Sequence, residues 1–211
     1  MRAASVLSVL LLTSLLPGVA RGDACRDEIA ALYAEGGAMD PFARPPHRQT
    51  VRELTADGTE TRVNVSLFET PMRTIAGVPA ENRFTMAIGR DLWNGPSMDG
   101  PWTPLGYQMP EGREEAMRLG LRQNAANLAD TDCLGADGDG RLVYSYRTQT
   151  DPDASGVYSG AFYTVRVDPD SGRAMRIEMT DFVNSWTEGV STDRHEITLD
   201  YDPSIRVLPP E

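Results

Sequence analysis

The sequence predicts an α+β domain: an antiparallel meander opened by a short N-terminal helix and interrupted once by a central helix. Three observations carry this. Apolar residues recur with period two along most of the chain, Gly, Pro and Asp turn signals separate these runs at hairpin distances, and only two stretches combine helical spacing with helix start and stop signals.

Near the start of the chain, Arg2 precedes a predominantly apolar run from Val6 to Leu16, a Pro17-Gly18 break follows, and Val19-Ala20 and Arg21-Gly22 each end on a small residue. The run is about 11 residues, inside the roughly 7–15 of a secretory signal and well short of the ~20 a spanning helix needs. A signal peptide over 1–22 is therefore expected, cleaved after Ala20 or Gly22, with no transmembrane anchor. A single periplasmic domain over 23–211 follows. Gly22-Asp23-Ala24 lacks the Leu-like residue that lipid attachment wants three places before Cys25, so an unlipidated protein is expected.

Asp23 is placed to cap a helix over Cys25–Glu35, with Asp27 and Glu28 in its first turn, Ile29, Leu32 and Tyr33 on one face, and Gly36-Gly37 ending it. A proline-rich connector, Asp40–Pro46, leads into the strands. Val63, Val65 and Leu67 share one strand face, as do Phe84, Met86 and Ile88, then Met175, Ile177 and Met179, and finally Ile197, Leu199 and Tyr201. Turns fall at Asp57-Gly58, Gly89-Arg90-Asp91, Asp151–Gly156, Asp168–Gly172, Glu188-Gly189 and Asp202-Pro203. The central helix starts near Pro110, with Glu111, Glu114 and Glu115 at its positive end and Met117, Leu121, Ala125 and Leu128 on one stripe. It ends before an Asp130–Gly140 loop.

Cys25 and Cys133 are the two cysteines of the chain, and an oxidising compartment makes a disulfide between them the default. Such a bridge would staple the first helix to the end of the second. A redox-active pair would favour Cys-x-x-Cys spacing, which is absent.

All 20 basic residues are arginine, against 31 Asp and Glu. The formal charge is −11, and losing Arg2 and Arg21 with the signal makes it −13. That field repels nucleic acid and anionic surfaces. The arginine-only set fits a GC-rich bacterial genome.

The order of these pieces resembles the LolA/LolB-like superfamily of periplasmic lipoprotein-carrier proteins. The residues that carry the likeness are Ile88-Gly89-Arg90-Asp91-Leu92-Trp93 followed by Asp99-Gly100-Pro101-Trp102, the turn Val167-Asp168-Pro169-Asp170-Ser171-Gly172-Arg173, and the closing run from Tyr201-Asp202-Pro203 through Ile205 to Pro209. The resemblance implies a curved antiparallel half-barrel whose concave face is closed by both helices over an apolar cavity. It implies a ligand that is a lipid, an acyl chain or a lipoprotein. The candidate lining is Val63, Val65, Leu67, Phe84, Met86, Ile88, Met175, Ile177 and Met179, with Trp93 and Trp102 near a rim. Unbranched, polarizable methionine suits a cavity that accepts chains of varied shape. The same residues would equally fill a packed core between sheet and helices, because period two does not distinguish the two. The chain end departs from the carrier's own closing pattern, so generic membership is expected rather than lipoprotein sorting.

No catalytic residue, cofactor or metal is expected. His47 and His195 are far apart and read as surface or packing histidines, and neither a Gly-x-Ser-x-Gly elbow nor a His-Glu-x-x-His pair occurs. Asp151-Pro152-Asp153-Ala154-Ser155-Gly156 matches the opening of a calcium loop but places Phe162 where a bidentate Glu belongs. In the Asp130–Gly140 run, Asp130, Asp132, Asp137 and Asp139 are followed by Arg141. Both read as polar turns. The alternative to an apolar-ligand binder is a monomeric envelope interaction or sensor module, with Trp102, Trp186 and Tyr107 as partner anchors.

Overall fold

The computed structural model describes residues 19–210. The apolar run of the expected signal lies outside the described residues.

The chain forms α1 (Val19–Leu32), six strands β1 (His47–Leu54), β2 (Glu60–Thr70), β3 (Arg73–Val78), β4 (Arg83–Ile88), β5 (Asp91–Gly95) and β6 (Thr103–Gln108), then α2 (Arg113–Ala126). Five more strands follow: β7 (Ala129–Ala136), β8 (Leu142–Gln149), β9 (Ser159–Asp168), β10 (Arg173–Asn184) and β11 (Arg194–Tyr201). All eleven strands join one antiparallel sheet in the order β6-β5-β4-β3-β2-β1-β11-β10-β9-β8-β7. The sheet is open and curved rather than a closed barrel, with β6 and β7 as its edges. The expected fold class is therefore the one observed. Two meanders make it: the first runs outward from β1 to β6, α2 carries the chain to the far edge, and the second returns from β7 to β11, which pairs with β1 along its whole length.

Two local expectations need correction. α1 starts at Val19 and ends at Leu32, so Asp23 lies inside the helix rather than capping it. The chain then turns tightly: the buried Asp40 carboxylate accepts the backbone N–H groups of Gly36 (3.0 Å) and Phe42 (2.9 Å). Most of the expected Asp130–Gly140 loop is strand β7, and only the turn before Arg141 remains. The Cys25–Cys133 disulfide is present, with Cα atoms 5.7 Å apart, but it joins α1 to edge strand β7 rather than to the end of α2. Arg26 makes a contact with the end of α2: its guanidinium donates to the carbonyls of Ala126, the last helical residue (3.0 Å), and of Leu128 just beyond it.

The sheet buries opposite faces in its two halves. Cross-strand partners point to the same side, so the registers place Tyr146, Tyr163, Ile177, Ile197 and Gln49 on one face. There α1 and α2 pack, with Ile29, Tyr33, Tyr146, Val165, Ile177 and Leu199 in the main core. The registers place Leu67, Ile75, Met86 and Trp93 on the other face. There a second core gathers Ile75, Phe84 and Met86 around Val207 of the C-terminal segment, with Leu67, Ile88, Trp93, Met98 and Trp102 at its margin. The segment is strapped down by its backbone: Val207 N–H donates to Glu69 (2.9 Å), and its carbonyl accepts from Arg73 (2.7 Å). Behind the helix-bearing half, the same second face is polar. Glu196 meets Arg52, Arg176 and Arg194, and Glu178 meets Arg166 and Arg176, in a ladder of ion pairs.

Candidate functional site

An open groove of about 340 Å3 lies on the helix-bearing face. Tyr163, Ile177, Met179, Ile197 and Gln49 line its sheet side, and α2 contributes Met117, Gly120, Leu121 and Asn124. Met39, Pro41 and Arg44 of the connector complete it. The groove exists because α2 stands off the sheet: none of its side chains is fully buried, although its apolar stripe points inward. Gly120 adds to the space, since a methyl group there would meet nothing closer than the Thr150 side chain at 3.9 Å.

Three tyrosines lie beneath it. Tyr33 donates to the Tyr146 hydroxyl at 3.0 Å, and Tyr146 stacks on Tyr163 with centroids 5.5 Å apart. Burial raises all three phenols, Tyr163 to about 12, so they stay neutral and serve as packing groups with a satisfied hydroxyl pair. Arg44 is the cationic member of the rim. Its Nε and Nη2 donate to the Ala38 carbonyl at 3.3 and 3.1 Å, and burial lowers its pKa. A second cleft, of about 200 Å3, shares Arg44 and is otherwise lined by Gly36–Ala38, Ala43, the Ser171–Arg173 turn and Tyr201.

The residues expected to line one cavity are divided between the two faces. Ile177 and Met179 line the groove. Met175 is the extra residue of a β-bulge: Ala174 pairs with Val167 and Arg176 with Arg166, so Ala174 takes the place on the Ile177 face that strict alternation assigns to Met175. Val63, Val65, Leu67, Phe84, Met86, Ile88 and Trp93 lie on the opposite face, and most of them belong to the second core or its margin. Trp102 packs over Gly95, where any Cβ would collide with its ring at 2.8 Å.

Sequence reasoning did not single out Tyr163, Ile197 or Arg44 for the groove. Ile197 was on an apolar strand face, and Met117 and Leu121 were on the α2 stripe. The signal that would have found them was the stripe itself, since a helix must lie over some strand pair, but its partner strands are set by long-range register. His47 is buried and stacked on Phe68 with centroids 4.8 Å apart, and its Nδ1 lies 2.9 Å from the Pro45 carbonyl. His195 packs against Phe182 at 4.3 Å. Asp153 accepts the N–H groups of Ser155 and Val157, and Asp137 those of Asp139 and Arg141. Each thus organises its own turn. Among the described residues, no cluster of three His, Cys, Asp or Glu side chains is spaced to hold a metal ion, and no helix is long and apolar enough to cross a membrane.

No protein-family model matches the chain, and no curated protein matches it. Solved structures do align with it. LprF from Mycobacterium bovis is 11% identical with a TM-score of 0.45, over 87% of this chain and 97% of its own. MucB, solved in complex with MucA(peri), is 12% identical with a TM-score of 0.38, over 86% of this chain and 59% of its own. The LolA superfamily protein NE2245 from Nitrosomonas europaea is 12% identical with a TM-score of 0.32, over 86% and 94%.

Proposed function

We propose that this protein is a periplasmic binder of an apolar ligand, a lipid, an acyl chain or a lipoprotein, held between α2 and the sheet. The open, apolar-floored groove of about 340 Å3 carries this reading, because such a volume lies within the roughly 300–1,000 Å3 of small-ligand sites. Three methionines, Met39, Met117 and Met179, line it, and their flexible thioether chains can follow an irregular apolar guest.

Protein purified from its native compartment should release a co-purified lipid on solvent extraction and mass spectrometry. A clean extract together with no binding of a fluorescent fatty acid would sink the reading. Met179→Arg, which puts a charge on the groove floor, should reduce binding at least tenfold with the circular dichroism spectrum unchanged; retained binding would place the site elsewhere. Met86→Arg is not a test of this groove, since Met86 is buried in the core on the other face.

One observation favours a partner-binding role instead. Edge strand β6 carries Tyr107 at 63% exposure, beside a shallow pocket of about 250 Å3 lined by Trp93, Pro104 and Gln108. An added strand on that edge would protect the β6 amides from hydrogen exchange and leave those of α2 unchanged.

A further inference from the structure

We propose that the groove takes a single-chain fatty-acid anion, with the chain against the Ile177–Met179 floor and the carboxylate at Arg44 and Arg173. This rests on the groove being the ligand site.

Arg44 is common to the groove and to the second cleft, and Arg173 lines that cleft with its guanidinium 5.3 Å from the centre of the Tyr201 ring. Neither arginine has an ion-pair partner among the described residues, whereas the arginines of the opposite face are matched to Glu178 and Glu196. Nearby carboxylates are already engaged. Asp40 accepts two backbone N–H groups, and Asp168 accepts the Ser171 hydroxyl and the turn amides. Arg44 is therefore a partly desolvated cation whose hydrogen-bond acceptors are a neutral carbonyl and, at 3.9 Å, the Met39 sulfur, with the Asp40 carboxylate acting on it only at longer range. Such a charge gains most from an anion brought in by a ligand, because a charge-assisted hydrogen bond is strongest where water is partly excluded.

An apolar groove that shares Arg44 with an adjoining cleft lined by Arg173 fits an amphiphile with a small negative head. Its volume, near the lower limit for ligand sites, suits one chain rather than two. The strongly negative charge of the chain makes this pairing selective: an anion is repelled by most of the molecule and attracted at this locus.

Fluorescence titration with cis-parinaric acid and with the alcohol of the same chain tests this. The acid should bind about tenfold tighter, the increment of one charge-assisted contact. Arg44→Gln should lower acid affinity to that of the alcohol and leave alcohol affinity unchanged, and Arg173→Gln should act in the same direction with a smaller loss. Equal affinity of acid and alcohol for the wild-type protein would overturn the anion assignment while leaving the groove intact, and that comparison needs no variant to fold. Binding of neither would overturn the groove reading and this one with it. Displacement of the probe by oleoyl lysophosphatidate more strongly than by oleate would replace the carboxylate with a phosphate head.

Discussion

His47 shows how a single residue can be a packing group and still leave a mark on stability. It is 4% exposed, stacked between β1 and β2 on Phe68 and tilted against Tyr201 at 5.6 Å. Burial lowers its pKa below the ordinary 6.5, outweighing the bond to Pro45 that favours the cation. The unfolded chain therefore takes up a proton near pH 6.5 while the folded one resists, so this contribution to stability is complete above that pH and is lost as pH falls below it. The depressed carboxylates, Glu69 and Asp137 among them, weaken the fold only at lower pH, below their ordinary range. Between pH 7.5 and 5.5, the melting temperature of the wild type should fall more than that of His47→Phe. Parallel slopes for the two would mean that His47 does not titrate against the fold. The sequence marks His47 only as a histidine at the start of a strand; the Phe68 stack needs the β1–β2 register.

At the scale of elements, α2 shapes the site. Its sequence signals are ordinary: Glu114 and Glu115 in the first turn, an i,i+4 ion pair from Arg118 to Glu114 at 2.9 Å, and an apolar stripe. Gly120 in its interior is the exception, and no close contact requires it, since a methyl there would meet nothing nearer than the Thr150 side chain at 3.9 Å. Gly120→Ala should raise the melting temperature by about 2–4 °C, because alanine improves helix propensity by up to ~1 kcal/mol and nothing obstructs the methyl. Gly120→Phe should instead fill the groove and weaken probe binding at least tenfold. Unchanged binding by Gly120→Phe would show that the ligand does not lie along α2. The stripe and its period were legible in the sequence. The stand-off from the sheet was not, since it arises from where β9, β10 and β11 come to lie.

Across the whole molecule, two cores on opposite faces share one sheet. Removing residues 206–211 takes Val207 from the second core together with its backbone bonds to Glu69 and Arg73. Burial of a valine side chain and two hydrogen bonds to charged groups put the loss at about 4–6 kcal/mol, read as a fall in the urea midpoint with increased binding of an apolar dye. Groove binding should survive this truncation under native conditions, because the groove is on the other face. Equal loss of both would show that the two cores behave as one.

The meander and its interruption by the central helix, the two helices, most hairpin turns and the cysteine pair were legible in the sequence, because they follow from local periodicity, from turn residues and from having two cysteines to pair. Alternation states that Phe84, Met86 and Ile88 share a face; it does not state that this is the face opposite Ile177. That phase is fixed by cross-strand register summed over the six neighbouring strands β4-β3-β2-β1-β11-β10, and within β10 a single bulge moves Met175 off the Ile177 face. By itself, then, the sequence determined the alternating strands, the helices and the cysteine pair that forms the bridge. Only the tertiary structure decided which apolar residues form a core, which line a groove, and that Arg44 is shared between that groove and the neighbouring cleft, since register and the path of the connector are properties of distant segments brought together.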